Sequence, residues 1–273
     1  MRIAGAPISW GVCEVPGWGH QLPPGRVLAE MRKLGITATE LGPEGYLSPS
    51  VLTEYGLRGI GAFLPVVLHD PAHDPLPDLE RTAREFAEAG IEVMVLAAAT
   101  GADGYDTRPT LDETGWATLL RNLDRAMELD RTVTLHPHVG TMVETREEVM
   151  RVLEGGSALL CLDTGHLLIG GTDPLELATA APERVAHVHL KDVDAGLAAR
   201  VPEIGYTRAV REGVYRPLGE GDVDVAGIVS ALGKHGYAGW YVMEQDVVLS
   251  GPEDEPVENV RRSLAYLEGL RRG

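Results

Sequence analysis

The segment Val185-Ala-His-Val-His-Leu-Lys-Asp192 combines a β-branched, apolar pattern with side chains that can do chemistry. Its alternation predicts a β-strand on which His187, His189 and Lys191 point to the same face. Two interpretations are open: half-buried sheet whose histidines bond backbone carbonyls, or one wall of a functional site. The second is favoured because other strand-like segments of this chain also end in an acid or a histidine.

Composition limits the class of protein. With 273 residues, 44% of them hydrophobic, the chain can bury a large core. It has no apolar run of about 18 residues and no signal-peptide pattern at its N-terminus, so we expect a soluble, cytoplasmic protein with no membrane association. Cys13 and Cys161 are too few for a disulfide framework or a zinc cluster. A formal charge of −17 argues against a nucleic-acid partner and suits a small-molecule substrate.

Strand-like and helix-like segments alternate eight times along the chain. The predicted strands are Ile3–Trp10, Ala38–Leu41, Gly59–Leu68, Val93–Ala97, Thr132–His136, Leu159–Asp163, Val185–Leu190 and Trp240–Glu244. The predicted helices are Arg26–Leu34, Ser48–Tyr55, Leu79–Ala89, Trp116–Leu129, Thr145–Leu153, Pro174–Ala180, Val225–His235 and Pro256–Leu270. Ser48, Asp173 and Gly251, each followed by proline, are typical of helix starts.

Eight such units predict parallel pairing through crossover helices and closure into a single (β/α)8 TIM barrel. No linker or composition shift divides the chain, so we expect one domain over residues 1–273. The competing architecture is an open doubly wound sheet. It is disfavoured because the first strand–helix turn has no G-x-G-x-x-G pattern.

The active site of such a barrel lies at the C-terminal ends of its strands. Seven of the eight predicted ends carry a polar or aromatic side chain. In chain order the ends offer Trp10 with Glu14, Glu40, His69 with Asp70, the segment 97–100, His136 and His138 with Glu144, Asp163 with His166, His189 with Lys191, and Glu244 with Asp246. This concentration of acids and histidines predicts that the Val185–Asp192 strand is part of a site.

A histidine and several carboxylates from successive strand ends suit a divalent metal with room for substrate. We expect Asp163, His189 and Glu244 as ligands, with Glu144 as the fourth. The carboxylates favour Mn²⁺ or Co²⁺, and Mg²⁺ and catalytic Zn²⁺ are alternatives. Other roles are open for single members: Asp163 as a helix or turn cap, Glu244 in an ion pair at the barrel rim, and Glu144 as the entry to the next helix.

The chain resembles the xylose isomerase-like, or sugar phosphate isomerase/epimerase, superfamily of metal-dependent TIM barrels. The resemblance rests on Leu162-Asp-Thr-Gly-His-Leu167, on His187-Val-His-Leu-Lys-Asp192 and on Glu244. Within that superfamily the inosose dehydratases are most similar, through segments 6–14, 39–47, 138–144 and 209–214.

The resemblance implies a metal held by Glu, Asp, His and Glu, of which the last three correspond to Asp163, His189 and Glu244. Many members place the first Glu at the end of the fifth strand, where this chain has His136. The fourth ligand is therefore either Glu144, reaching in from the loop, or His136.

A metal with open positions can polarise a ketone and acidify the neighbouring proton, so that a base forms a metal-stabilised enediolate. Loss of a β-hydroxyl then gives dehydration. We predict a lyase acting on a cyclic keto-polyol of the 2-keto-myo-inositol type; a ketose 3-epimerase or aldose–ketose isomerase is the alternative. The candidate bases are Glu244, His136 and His138, and the candidate acids are Lys191 and His166.

Some of these acid/base groups have structural alternatives. Lys191 could instead pair with Asp192 or Glu220, and His166 could support a ligating carboxylate.

Further residues are expected to contact the sugar or cyclitol substrate: Trp10, Glu40, His69, Arg211 and Glu220. The insertion Asp194–Gly221 is expected to be a lid carrying Arg208, Arg211 and Tyr215, or else an interface loop in a homo-oligomer.

Endonucleases acting at abasic sites share the fold, but the charge and the small metal set disfavour that function. A non-catalytic sugar-binding barrel is a further alternative.

Overall fold

Eight parallel strands close into a barrel in the computed structural model, which describes residues 1–272. The strands are β1 (Arg2–Gly5), β2 (Ala38–Glu40), β3 (Arg58–Val66), β4 (Val93–Ala98), β5 (Thr132–Leu135), β6 (Leu160–Asp163), β7 (Val185–Leu190) and β10 (Trp240–Met243). A separate two-stranded hairpin contains β8 (Asp192–Val193) and β9 (Tyr215–Arg216). Around the barrel the order is β1-β10-β7-β6-β5-β4-β3-β2, which confirms the predicted (β/α)8 architecture.

Helices follow the barrel strands as the sequence predicts. They are α1 (Pro24–Lys33), α2 (Pro49–Glu54), α3 (Leu76–Ala89), α4 (Glu113–Met127), α5 (Arg146–Gly155), α6 (Thr164–Ile169), α7 (Pro174–Ala180), α8 (Ala195–Ala198), α9 (Val201–Ile204), α10 (Tyr206–Arg211), α11 (Val225–Lys234) and α12 (Val257–Arg272). Ser48 and Asp173 cap α2 and α7 through their side chains, as predicted. Gly251 does not start a helix, because the chain turns before α12 begins at Val257.

The first strand is shorter than the sequence suggests. β1 ends at Gly5, and Pro7–Trp10 forms a 3₁₀-helix that is closed by Gly11 at φ 77°. Proline lacks the N–H that a continued strand would use, so the chain leaves the sheet there. This turn places Trp10 in the core instead of at a strand end.

The predicted lid segment is a folded subdomain that contains α8, α9, α10 and the strand β9. Asp192, just before this segment, is hydrogen-bonded to the end of it. One carboxylate oxygen of Asp192 accepts hydrogen bonds from the backbone N–H groups of Gly219 and Gly221 at 2.8 and 3.0 Å. The other oxygen accepts from Val223 N–H at 3.0 Å. Asp192 is therefore used by backbone donors and not by Lys191.

Three loops at the C-terminal end of the barrel hold one another in place. The loop after β4 is hydrogen-bonded to the insertion through Asp106. The Asp106 carboxylate accepts hydrogen bonds from Thr207 N–H at 3.0 Å and from Thr207 O–H at 2.8 Å. The same loop lies on Gly140 in the loop after β5, where an added Cβ would come within 2.3 Å of the Tyr105 carbonyl oxygen. Gly140 therefore allows the β4 loop to reach over the barrel mouth.

Among residues 1–272, no helix combines the length and the apolar character needed to cross a bilayer.

Replacing Gly140 by alanine should destabilise the protein more than the same change at Gly171. Both glycines have positive φ, 77° and 83°, but an added Cβ at Gly171 meets no atom within 4 Å. Gly171→Ala is expected to cost roughly 1–2 kcal/mol for the left-handed backbone. Gly140→Ala should cost about 1–3 kcal/mol more, because it overpacks against Tyr105. Urea unfolding of both variants measures the difference, and equal losses would contradict the close packing of the β4 loop.

Candidate functional site

A cavity of about 730 Å³ opens at the C-terminal end of the barrel. Six of the residues predicted to form the site line it: Glu40, His136, His138, His189, Lys191 and Glu244. Asp163 lies directly behind them and is fully buried. The walls also contain Glu14, Trp18, Tyr105, Tyr206 and Asp246. The predicted strand ends therefore do converge on one cavity.

Strand register brings Asp163 and His189 together. In the parallel pairing of β6 with β7, Asp163 lies opposite His189, and on the other side of β7 Val242 of β10 lies opposite His189. Asp163 is also the N-cap of α6, since its Oδ1 accepts hydrogen bonds from Gly165 N–H at 2.9 Å and His166 N–H at 2.8 Å. The cap role and the site role thus coexist, because the second oxygen, Oδ2, stays directed at the cluster.

His189 is the centre of the cluster. Its Nδ1 lies 3.2 Å from Glu244 Oε2 and 3.6 Å from Asp163 Oδ2, and it makes no hydrogen bond within residues 1–272. Its Nε2 lies 2.8 Å from Glu40 Oε1. Burial opposes protonation of this imidazole, but the negative groups around it, including Glu244 and Glu40, outweigh burial and raise the pKa of His189 well above its ordinary value.

The donor set has the spacing that a divalent ion requires. Ligands about 2.1 Å from an ion in octahedral geometry lie roughly 3.0 Å apart. The distances from His189 Nδ1 to the two carboxylates, 3.2 and 3.6 Å, are of this size. So is the 3.1 Å between His136 Nε2 and Asp163 Oδ2. Asp163, His189, Glu244 and His136 could therefore hold such an ion.

Glu144 is not among the described side chains that come within ligand distance of one another in this cluster. Its carboxylate lies 3.0 Å from the Arg108 guanidinium and accepts a hydrogen bond from Gly140 N–H at 2.8 Å. These partners hold it in the loop after β5, away from Asp163. His136, at the end of β5, occupies the position that the sequence left open between the two residues.

Lys191 is buried among acids. Its ammonium lies 2.9 Å from Asp246 Oδ1, 3.2 Å from Glu244 Oε2 and 3.3 Å from Asp163 Oδ2. Burial disfavours the ammonium, but these three carboxylates outweigh that effect and hold the pKa of Lys191 well above its ordinary value. The alternative partner Glu220 is instead bound to Arg262 at 2.6 Å.

Two neutral histidines flank the lysine. His138 donates from Nδ1 to the Val139 carbonyl at 2.7 Å, which leaves the lone pair on its Nε2. His166 Nε2 lies 2.9 Å from Lys191 Nζ and must accept from the ammonium. Burial holds the pKa of both imidazoles well below the ordinary value. His166 lies behind the cavity wall, so it supports Lys191 and Asp163 instead of facing a substrate.

Several wall residues were not assigned a role from the sequence. Asp246 accepts a hydrogen bond from Tyr206 O–H at 2.7 Å, and the Tyr206 and Tyr215 hydroxyls lie 3.0 Å apart. The Tyr105 ring lies 4.2 Å from the His138 ring, and its hydroxyl donates to Glu14. Glu14 and Asp246 carried a signal as acids that follow predicted strands, and Tyr215 carried one as part of the predicted lid. Tyr105 lies in a loop, and Tyr206 and Tyr215 lie in the short elements α10 and β9 of the insertion, where no long periodic pattern marks them.

Four predicted substrate contacts lie elsewhere. Trp10 is wholly buried and donates from Nε1 to Glu30 at 2.7 Å, so it packs against α1. His69, although it follows β3, is outside the set of described residues that line the cavity. Arg211 is exposed on α10, where it contacts the Trp18 carbonyl at 3.5 Å, and Glu220 pairs with Arg262. Arg208 of the insertion pairs with Glu212 at 2.7 Å and is also exposed.

Comparison with known proteins agrees with this architecture. A sequence profile of the family described as xylose isomerase-like TIM barrel matches residues 28–270. The inosose dehydratase of Geobacillus kaustophilus (strain HTA426) is 33% identical over 92% of this chain and 90% of its own length. The rhizopine catabolism protein MocC of Rhizobium meliloti is 33% identical over 90% of this chain and 82% of its own length.

A solved structure supports the fold independently. The probable 3-DHS dehydratase AsbF, involved in petrobactin synthesis, from Bacillus anthracis matches with a TM-score of 0.68 at 14% identity, covering 98% of this chain and 99% of that one. The motif resemblance found in the sequence is thereby confirmed, and the chain is an enzyme of the xylose isomerase-like TIM-barrel family.

Proposed function

We propose that this enzyme is a divalent-metal-dependent lyase that dehydrates a cyclic keto-polyol of the 2-keto-myo-inositol type. The observation that carries the proposal is the buried, unbonded Nδ1 of His189 between the carboxylates of Asp163 and Glu244, next to the Lys191 ammonium. The similarity to an inosose dehydratase over most of both chains supports the choice of substrate class.

Asp163, His189, Glu244 and His136 would hold the metal. Two carboxylates and two imidazoles form a mixed oxygen and nitrogen set, for which Mn²⁺ or Co²⁺ is the proposed ion. When bound, the ion would polarise a substrate ketone and acidify the proton on the adjacent carbon. Glu244 then acts as a ligand, which leaves the role of base to another residue.

His138 is the proposed base. Its Nε2 lone pair is available at the cavity wall, because Nδ1–H is held by the Val139 carbonyl. A neutral imidazole with a lowered pKa can accept the proton from the carbon next to the ketone.

Lys191 is the proposed acid. Its ammonium donates a proton to the β-hydroxyl, the C–O bond breaks, water leaves and a C=C double bond forms. His138 gains one proton and Lys191 loses one, so the return of that proton restores both groups.

The cavity wall suits a polyol ring. Trp18, Tyr105 and Tyr206 present aromatic surface, and the Glu14 carboxylate offers an acceptor for hydroxyl groups. An alternating pattern of hydroxyls with an apolar ring face matches such a wall.

A ketose 3-epimerase or aldose–ketose isomerase would begin with the same proton abstraction. The ammonium of Lys191 supports dehydration over these alternatives, because an acid that can protonate a departing hydroxyl favours loss of water.

Incubation of the Mn²⁺- or Co²⁺-loaded protein with 2-keto-myo-inositol should produce the ultraviolet absorbance of a conjugated dione. Chelation should lower the rate by at least about 100-fold, since a catalytic ion supplies several kcal/mol of transition-state stabilisation. Re-addition of the ion should restore the rate. Absence of the dione, together with epimerisation of ketoses by the same sample, would reject dehydration in favour of the epimerase alternative.

Substitution of the proposed ligands should weaken metal binding, whereas substitution of Glu144 should not. Asp163→Asn and Glu244→Gln are each expected to raise the dissociation constant by more than the roughly 10–100-fold typical of losing an outer hydrogen-bond partner. Glu144→Gln removes a carboxylate from the neighbouring loop and is the matched control. Isothermal titration with Mn²⁺ measures all three, and an equal loss in Glu144→Gln would return Glu144 to the ligand set.

Lys191→Met should separate proton donation from metal binding. We expect kcat to fall by about 10²–10⁴-fold, the usual contribution of a positioned acid. Metal affinity should be retained, because the ammonium competes with a cation for Asp163 and Glu244. In D₂O this variant should still exchange the proton next to the ketone, whereas His138→Gln should lose both exchange and water release. Unchanged turnover in Lys191→Met would remove this residue from the mechanism.

A further inference from the structure

The Glu40 side chain has no part in the chemistry proposed above, yet it is one of the most buried charged groups of the barrel, with 2% of its surface exposed. It extends from β2 across the barrel interior to β7, which is separated from β2 by β1 and β10. There its Oε1 lies 2.7 Å from His187 Nε2 and 2.8 Å from His189 Nε2. One carboxylate oxygen thus joins the two histidines of β7.

The chemistry of this contact determines where the protons lie. An ionised carboxylate only accepts hydrogen bonds, so His187 and His189 must each donate from Nε2. For neutral His189 this leaves the lone pair on Nδ1, the nitrogen that lies 3.2 Å from Glu244 Oε2 and 3.6 Å from Asp163 Oδ2. The tautomer and the ring orientation of His189 are therefore both set by Glu40.

We propose that Glu40 is a positioning residue that holds His189 in the Nε2–H tautomer, so that the Nδ1 of His189 can bind a divalent metal. His187 supports this role by its hydrogen bond to the same Glu40 oxygen. The inference rests on the metal site of the proposed function and assigns a role to two residues outside it. Outer carboxylates of this kind orient histidine ligands and increase their basicity. His187 contributes by holding the carboxylate oxygen from the other side, with its ring at 73° to that of His189.

The distances favour this role over direct metal binding by Glu40. Ligands about 2.1 Å from an ion lie roughly 3.0 Å apart in octahedral geometry and roughly 3.4 Å apart in tetrahedral geometry. Glu40 Oε1 is only 2.7 and 2.8 Å from the two histidine nitrogens, which are hydrogen-bond distances. The distances from His189 Nδ1 to Glu244 Oε2 and Asp163 Oδ2, 3.2 and 3.6 Å, are instead of the size expected between two ligands of one ion.

Titration with Co²⁺, followed by visible absorbance, tests the proposal in the full-length protein. Glu40→Gln should raise the Co²⁺ dissociation constant by about 10–100-fold, because a neutral amide oxygen accepts hydrogen bonds more weakly than an ionised carboxylate and so increases the basicity of His189 less. His187→Phe, which leaves the Glu40–His189 bond in place, should have a smaller effect. Glu14→Gln removes a carboxylate from the same cavity away from His189, and its Co²⁺ affinity should match that of the unsubstituted protein.

A second measurement needs no substitution. Nitrogen-15 NMR of the Zn²⁺-loaded protein should place the His189 proton on Nε2. A proton on Nδ1 would overturn the proposal even if Glu40→Gln did not fold.

The other outcomes are distinguishable. If Glu40→Gln kept its Co²⁺ affinity but had a raised KM, Glu40 would be a substrate contact. If the unsubstituted protein bound two Co²⁺ ions per chain and Glu40→Gln bound one, Glu40 would be a metal ligand. Either result overturns the positioning role and leaves the proposed function in place. An unsubstituted protein that binds neither Co²⁺ nor Mn²⁺ would overturn both this inference and the metal site of the proposed function.

Discussion

Compensation of buried charge at the barrel mouth is the constraint on which the rest of the structure depends. The carboxylates of Glu40, Asp163, Glu244 and Asp246 are each at most 8% exposed. An unpaired buried carboxylate costs several kcal/mol, so these groups are stable only together with the Lys191 ammonium and the His189 imidazole. The same excess of negative charge makes the position next to His189 suitable for a divalent cation.

Three of these carboxylates are held by different elements of the fold. Backbone N–H groups of α6 bind Asp163 Oδ1, and Tyr206 of the insertion binds Asp246 Oδ2, while the second oxygen of each approaches Lys191. Glu40 is bound by two histidines. Because these three carboxylates are fixed by different elements, the site needs the helix after β6, the insertion and the far side of the barrel at once.

Residues on the strands were easier to place from the sequence than residues in loops. Asp163 and His189 point into the barrel because strand side chains alternate, and parallel register then sets them side by side. Trp10 lies in the core and not at a strand end, because the chain leaves the strand at Pro7. The Glu144 carboxylate lies apart from the cluster because it binds Arg108, from a different loop. A loop side chain takes its position from partners that local sequence does not specify.

The sequence by itself determined the eightfold strand–helix repeat, the closed barrel and the rim on which Asp163, His189, Lys191 and Glu244 lie, because periodicity is a local property of the chain. Only the tertiary structure decided that His136 and not Glu144 adjoins this cluster, that Asp246 and Tyr206 support Lys191, and that Glu40 binds His187 and His189 from across the barrel. These contacts join atoms far apart in sequence, and their distances exist only after the barrel has closed.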